Sequence, residues 1–264
     1  MPEFSARDVQ ALRKATGAGM MDAKAALEAN DGDAEAASRW LQEKGIAKAA
    51  ARADRAAEQG AVAVVVEGDT GAVAELRSET DFVAKSETFT ALVGELAHLV
   101  AVKGTDAVEE EAAAIEDLRV TAKENIDVGQ VVRFEAAADN LLDSYLHIQN
   151  GRGVNAVLVE LADGSKEVAH DIAIHIAFAR PPYLTRDEVP EDEVAEQRAL
   201  LEAQTRNEGK PEQAIDKIVE GKLGGWYQER VLLDQKFVRD EKQKISQVLG
   251  DARIVRFAQV VIGG

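Results

Sequence analysis

The fold is decided by residues 60–76, which read GAVAVVVEGDTGAVAEL. The β-branched run at 61–66, the turn chemistry that follows it and the second apolar run predict two strands joined by a tight turn. Apolar residues then recur at helical spacing from about Ser86 to Lys103, which predicts a helix. Two strands and a helix in this order indicate the first half of an α+β core, which we assign to residues 56–140.

The same order recurs later in the chain. A strand is predicted at 154–161 and, after a turn, a helix at 166–180 that ends before two prolines. The last predicted strand, 253–262, can rejoin this second sheet. We therefore assign the second half of the core to residues 141–186 plus 231–264 and expect an internal duplication.

Two further elements lie between the repeated units, and a third segment interrupts the second unit. An acidic helix is predicted at 106–123 and a strand at 130–135. Residues 187–230 have sparse apolar positions on charged helical segments, with turn residues at 207–211. This pattern predicts an inserted antiparallel coiled-coil hairpin that projects from the body.

Residues 1–55 are set apart by charge. They carry nine acidic and nine basic side chains, so the net charge of −17 belongs to the remainder of the chain. Ser5 followed by Asp8 predicts a helix start, and Gly17 predicts its end. The segment is predicted to be a three-helix module with a linker.

The other boundaries of this module follow from similar signals. The second helix is predicted to begin near Met21 and to end at residues 30–32. Asp33 is expected to cap the third helix, with Gly45 beyond its end. Residues 46–58, rich in Ala, Arg and Lys, are predicted to be a helical linker.

Composition narrows the function classes. The chain has 264 residues, with 48 acidic residues against 31 Lys and Arg, so direct nucleic-acid binding is not expected as its main role. It has no cysteine, which excludes disulfides, thiolate catalysis and Cys-type metal sites. The N-terminus does not resemble a signal peptide, and no run approaches the roughly 20 apolar residues of a membrane helix. We expect a cytoplasmic protein.

Groups suited to covalent catalysis are not evident in the sequence. The four histidines have no zinc-ligand spacing, and neither GxxxxGK[ST] nor GxGxxG is present. The acidic run at 106–117 lacks the spacing of a calcium loop. We therefore expect no catalytic residue, no metal and no cofactor.

Two segments are candidates for partner contact. Phe82 beside Asp81 in a loop would offer an apolar wedge next to a carboxylate; alternatively, this segment caps the next helix while Phe82 and Val83 fold onto the core. Met20 and Met21 would suit a protein-binding surface, although one of them could instead pack in the core.

These segments carry a family resemblance that covers nearly the whole chain. The sequences LRKATGAGMMDAK at 12–24 and TDFVAK at 80–85 resemble bacterial translation elongation factor Ts, as do IHIA at 174–177 and IVEGK at 218–222. The resemblance implies a ubiquitin-associated-like (UBA-like) three-helix module, a duplicated α+β core and an inserted coiled coil. It also implies a guanine-nucleotide exchange factor that binds elongation factor Tu·GDP, displaces Mg²⁺ and GDP, and is released by GTP.

The resemblance further implies roles for individual residues. Four consecutive residues match the family segment that displaces Mg²⁺ from Tu: Thr80, Asp81, Phe82 and Val83. Five others match partner contacts: Arg13, Met20, Met21, Arg52 and His175.

The chain departs from its relatives in two places. Ala122-Lys123 stands where relatives carry an Ile-Gly contact. The last predicted strand is followed closely by Gly264, so any affinity that a further C-terminal helix supplies in some members is expected to come from elsewhere or to be absent. Whether the predicted hairpin forms a homodimer or binds another partner is left open.

Three function classes make different structural predictions. An exchange factor predicts a shallow surface with Phe82, Met20 and His175 on one side. A helical scaffold or chaperone-like adaptor predicts that Asp81 and Phe82 are buried. A carboxylate enzyme predicts a deep pocket with convergent acidic or histidine side chains.

Overall fold

The first half of the core is an antiparallel sheet built around the strand pair at residues 60–76. The structure is a computed structural model that describes residues 4–50, 52 and 54–263, with the backbone alone at 46–50. The sheet has the order β1-β2-β3, and its strands are β1 (Gln59–Glu67), β2 (Thr70–Ser78) and β3 (Ile126–Glu135). The predicted turn is confirmed, since Gly68 at its tip has a φ of +62°.

Three helices follow β2. They are α4 (Asp81–Ala84), α5 (Glu87–Lys103) and α6 (Ala112–Ala122). The predicted helix over 86–103 is confirmed, with Ser86 as its N-cap. The predicted acidic helix is wrong in its first third, because Thr105–Glu111 is a 3₁₀ helix. The segment follows Gly104, which offers no side chain to cap it, so its first turn lacks the hydrogen bond that favours the start of an α-helix.

The second half repeats this plan. Strands β4 (Leu141–Gln149) and β5 (Arg152–Ala162) pair, and helix α7 (Lys166–Ala179) packs on them. The predicted return of the chain end is confirmed, because β8 (Arg253–Val261) pairs antiparallel with β5. Strand β4 was not predicted; its second half is largely exposed, so it lacks the apolar run that marks a buried strand.

The two sheets pack face to face between the helices. Residues on one face of each sheet contact α5 or α7, and those on the other face meet the opposite sheet. Val62, Val73 and Leu158 lie in this central layer. Gly153 permits the close approach, because a Cβ there would lie 2.1 Å from the carbonyl oxygen of Val62.

Each central strand carries a buried glutamate at a register shift. In β2, Glu75 receives two 3.0 Å hydrogen bonds from Arg77 and one of 2.7 Å from the amide of Gln130. In β5, Glu160 accepts from Arg256 at 2.6 Å and from Asn140 at 2.7 Å. Both carboxylates are therefore paired rather than isolated charges.

Helices α8 (Glu191–Asn207) and α9 (Glu212–Arg230) interrupt the second half. The chain turns between them at Gly209, whose φ is +70°. Their shared apolar core consists of Leu201, Ile215, Val219 and Leu223. Short elements then lead to β8, namely β6 (Lys236–Phe237), β7 (Asp240–Lys244) and α10 (Ile245–Leu249).

The N-terminal segment contains α1 (Ala6–Thr16), α2 (Met20–Ala29) and α3 (Ala34–Ala50). The predicted signals at the start and end of α1 are confirmed: the Ser5 amide and hydroxyl both lie 2.7 Å from the Asp8 carboxylate, and Gly17 has a φ of +67°. The Asp33 cap is confirmed as well, since its carboxylate accepts two amide hydrogen bonds.

The predicted end of α3 is wrong, because the helix continues through Gly45 to Ala50. At Gly45 a Cβ would lie 2.8 Å from Cγ1 of Val120 on α6, so the glycine allows two helices to pack closely. The predicted helical linker is correspondingly helical only in its first part, and residues 56–58 are not helical. Residues 51 and 53 of that prediction lie outside the described part of the chain.

Candidate functional site

The segment after β2 places an aromatic ring in solvent. Thr80 caps α4 by accepting a 3.4 Å hydrogen bond from the amide of Val83. Val83 is partly buried and packs on the core around α5, whereas Phe82 is 75% exposed. The structure therefore combines the two sequence interpretations, because the segment caps a helix and Phe82 still points outward.

A charge pair accompanies the ring. Nζ of Lys85 lies 3.4 Å from the exposed Asp81 carboxylate and 5.6 Å from the centroid of Phe82. One exposed helical turn thus presents a ring, a carboxylate and an ammonium group. The ring can enter an apolar slot, and the carboxylate can act on charges beside it.

The segment is held by residues from the far end of α6. The Glu124 carboxylate accepts from the Thr80 amide at 3.0 Å and from the Thr80 hydroxyl at 2.6 Å. Glu79 accepts from the amide of Asn125 at 2.7 Å. Sequence reasoning missed Glu79 and Glu124 as site residues, and no local pattern could have revealed a contact across 44 or more positions.

Two open grooves border α6. One, of about 580 Å³, runs beside Phe82 and includes Leu92 and Leu118. The other, of about 380 Å³, separates α6 from the N-terminal helices and includes Arg52. Both grooves are lined in part by Asp117 and Thr121, so α6 stands between Phe82 and the N-terminal helices.

The N-terminal candidates are exposed. Met20 is 48% exposed and Met21 74%, at the start of α2. The alternative that one of them packs in the core is therefore wrong. Arg13 is exposed on the last turn of α1. A flexible thioether pair in solvent can adapt to an apolar partner surface.

His175 does not lie on this surface. It is 1% exposed, on the inner face of α7. Its Nε2 lies 2.9 Å from Oε1 of Gln235, and its Nδ1 accepts from the amide of Val238 at 3.3 Å. Burial lowers the pKa of His175, although the Gln235 contact opposes that shift. The expectation of a partner-facing His175 is thus wrong for this structure, because the ring bridges internal segments.

A second exposed apolar side chain lies on the other half of the core. Phe178, near the end of α7, is 78% exposed. Phe178, Tyr145 and His147 line a shared groove of about 480 Å³. Strand β4 was not predicted from the sequence, so the groove that it forms with Phe178 was not predicted either.

The described part of the chain offers neither a cluster of metal-binding side chains nor a membrane-spanning helix. Within residues 4–50, 52 and 54–263, no three His, Asp or Glu side chains are grouped so that they could hold a metal ion. In that same part of the chain, no helix has both the length and the apolar character needed to cross a bilayer.

Comparisons with known proteins agree with one another. A family model described as Elongation factor TS matches residues 79–264. The chain is 41% identical to elongation factor Ts of Deinococcus deserti, over 97% of this chain and 98% of that protein. It is 42% identical to elongation factor Ts of Acidothermus cellulolyticus, over 100% and 99% of the two chains. For Deinococcus radiodurans the identity is 40%.

Proposed function

Because the chain belongs to the elongation factor Ts family, we propose that it is a guanine-nucleotide exchange factor for elongation factor Tu. It binds Tu·GDP in the cytoplasm during translation elongation, displaces Mg²⁺ and GDP, and is released when GTP binds. The Mg²⁺ and the nucleotide belong to Tu, so this chain needs no cofactor of its own and catalyses no covalent chemistry.

Exchange of this kind follows from thermodynamic linkage. A protein that binds nucleotide-free Tu more tightly than Tu·GDP must weaken GDP binding by the same factor. GTP then displaces the exchange factor by the same reciprocity. An exchange factor therefore requires a surface that is complementary to the nucleotide-free state of Tu.

The observation that carries the proposal is the exposed ring of Phe82 beside Asp81. In the complex, Phe82 enters an apolar slot next to the metal site of Tu, and Asp81 perturbs the charges around Mg²⁺. Thr80 and Val83 hold this turn in place. Loss of the ion removes the largest local positive charge that retains the diphosphate, so GDP leaves faster.

Other contacts surround this centre. Arg13, Met20 and Met21 contact the G domain of Tu, and Arg52 adds a basic contact near the groove beside α6. The exposed ring of Phe178 extends the interface onto the second half, since aromatic side chains are enriched at protein contacts.

The domain assignment completes the proposal. Residues 1–55 form a UBA-like module with a linker, residues 56–140 the first half of the core, and residues 141–186 with 231–264 the second half. Residues 187–230 form an inserted coiled-coil hairpin, supported by the apolar core that α8 and α9 share.

The alternatives fit the geometry less well. A scaffold or adaptor predicts a buried Asp81 and Phe82, but both side chains are exposed. A carboxylate enzyme predicts a deep pocket, whereas the grooves beside Phe82 and the N-terminal helices are open to solvent.

The proposal is tested by the release of a fluorescent GDP from elongation factor Tu. Wild type should accelerate release strongly, and Phe82→Ala should slow the accelerated rate about thirtyfold, as for an aromatic hot spot. Val102→Ala, which changes an exposed apolar residue on α5, is the matched control and should change little. Full acceleration by Phe82→Ala would remove the wedge role, and no acceleration by wild type would contradict the proposed function.

A further inference from the structure

Two carboxylates hold the Phe82 segment from opposite directions. Glu124 accepts both the amide and the hydroxyl of Thr80, at 3.0 and 2.6 Å. Glu79, the neighbour of Thr80, accepts the amide of Asn125, the neighbour of Glu124, at 2.7 Å. Each carboxylate therefore binds the segment that carries the other. We call this pair of contacts the Glu79–Glu124 clasp.

A third segment joins the clasp. Asn125 is 4% exposed, and its Nδ2 donates a 2.8 Å hydrogen bond to the carbonyl oxygen of Arg55. The guanidinium of Arg55 lies 3.5 Å from the Glu79 carboxylate. The chain just before β1 is thereby fixed to the same point. Three segments distant in sequence converge behind Phe82.

The clasp compensates for the short length of α4. This helix has four residues, and a single helical turn is costly to form alone. The Thr80 hydroxyl both accepts from Val83 and donates to Glu124, so Glu124 fixes the group that caps the turn. Phe82, which is 75% exposed, depends on that turn for its direction.

We propose that Glu124 is a positioning residue of the exchange reaction, which holds Phe82 outward through Thr80. This inference rests on the proposed function and deepens it. Glu124 acts on the backbone that carries the ring, and it lowers the entropy lost when the ring enters its slot during GDP release, after the two proteins have bound. Because Glu124 follows α6, the clasp also fixes the ring relative to the N-terminal helices on the other side of α6.

A double-mutant cycle tests this role. Glu124→Ala should slow the maximal rate of GDP release from Tu about tenfold, as expected for loss of hydrogen bonds to a charged group. In the Phe82→Ala background, Glu124→Ala should not slow GDP release further, because Glu124 acts only through the ring that Phe82→Ala has already removed. Glu241→Ala, an exposed glutamate on β7, is the control and should leave the rate unchanged.

Additive losses in this cycle, or a wild-type rate in Glu124→Ala, would overturn the positioning role. A different result would contradict the proposed function as a whole: wild type itself would leave the rate of GDP release unchanged. A change confined to the half-saturating concentration would also overturn the inference, because positioning predicts an effect on the maximal rate.

A second measurement needs no partner. Amide hydrogen exchange of residues 79–86 should be slow in wild type and faster in Glu124→Ala, because the Thr80 amide loses its acceptor. Thr80→Val should exchange fast and release GDP slowly, and Thr80→Ser should recover much of both properties because it restores the hydroxyl. Equal protection in wild type and Glu124→Ala would overturn the clasp.

Discussion

At the scale of single residues, the environment decided whether a candidate side chain became a surface group or an internal one. Phe82 and Met21 are about three-quarters exposed, whereas His175 is 1% exposed. Sequence motifs identified all three, but only packing showed which way each points. His175 takes part in two internal hydrogen bonds, and these require a neutral ring with its proton on Nε2.

This residue predicts a pH dependence of stability. Burial lowers the folded-state pKa of His175 below its ordinary value of about 6.5. The unfolded chain therefore binds more protons as pH falls through about 6.5, and stability falls with it. The contribution is fully present above that pH and is lost on the way down to the folded pKa.

The measurement is urea unfolding of wild type and His175→Gln at pH 7.5 and pH 5.5. The variant should be less stable by about 2 kcal/mol at the higher pH, because buried hydrogen bonds are disturbed. The difference in free energy of unfolding between the two proteins should be smaller at the lower pH, since only wild type loses the stabilisation that the neutral histidine provides. A difference that stays constant between the two pH values would contradict the assignment.

At the scale of elements, helix packing overrode a local signal at Gly45. Glycine at a helix end predicts a stop, but α3 continues because Gly45 lets it contact Val120 of α6. The clasp belongs to the same scale, since it orders α4 from the end of α6. The spacing of apolar residues in the sequence predicted α3 and α6 as separate helices, but it did not predict that they contact each other.

A substitution at Gly45 tests the contact. Gly45→Ala should destabilise the protein by about 1 kcal/mol, because the new Cβ would meet the stiff side chain of Val120. Gly221→Ala in α9, where a Cβ meets nothing within 4 Å, is the matched control and should stabilise by about 0.5–1 kcal/mol.

Combining Gly45→Ala with Val120→Ala shows whether contact with Val120 causes the destabilisation. In the Val120→Ala background, Gly45→Ala should no longer be destabilising, because the smaller side chain leaves room for the Cβ. Free energies of unfolding from urea titrations check all of these values. Equal stabilisation by Gly45→Ala and Gly221→Ala would show that α3 does not press on α6.

At the scale of the whole molecule, Glu160 connects the two halves. Its carboxylate accepts from the amide of Ala137 and the side chain of Asn140, in the turn that joins the halves. It also pairs with Arg256, which donates to the carbonyl oxygen of Glu135 on β3. One buried carboxylate thus links β5, β8 and the end of the first sheet.

This connection predicts an acid-sensitive stability. Burial by itself raises the pKa of Glu160, but hydrogen bonds from Asn140, Arg256 and Ala137 outweigh it and lower the pKa below the ordinary value. The stabilisation is present above about pH 4.3, the ordinary glutamate value, and is lost as pH falls through the lowered folded value.

The variant Glu160→Gln should be destabilised by about 2 kcal/mol at pH 7, because the buried carboxylate accepts hydrogen bonds that the neutral amide cannot all replace. Its deficit relative to wild type should shrink in acid, where wild type becomes protonated. Glu241→Gln on β7, which is exposed, is the control and should stay within about 0.5 kcal/mol. Parallel stability curves for wild type and Glu160→Gln against pH would contradict this role.

Much of the fold was predictable because its signals are local. The strand pair at residues 60–76, the helix before Gly104 and the rejoining last strand follow from periodicity and turn chemistry within a few residues. Strand β4 escaped prediction because its second half is exposed and its apolar pattern is weak. For the site, the sequence identified the Phe82 and Met20–Met21 segments through motifs in single continuous stretches.

The sequence by itself determined the α+β class, the longer helices and most of the strands in their order, and the family. The tertiary structure decided that Phe82 faces solvent, that His175 faces the core, and that Glu79 and Glu124 hold the Phe82 segment. The physical reason is the separation along the sequence of the residues that interact. Helix and strand patterns record burial along a few consecutive residues, whereas the clasp joins groups 44 and 46 positions apart, whose meeting depends on how the whole chain packs.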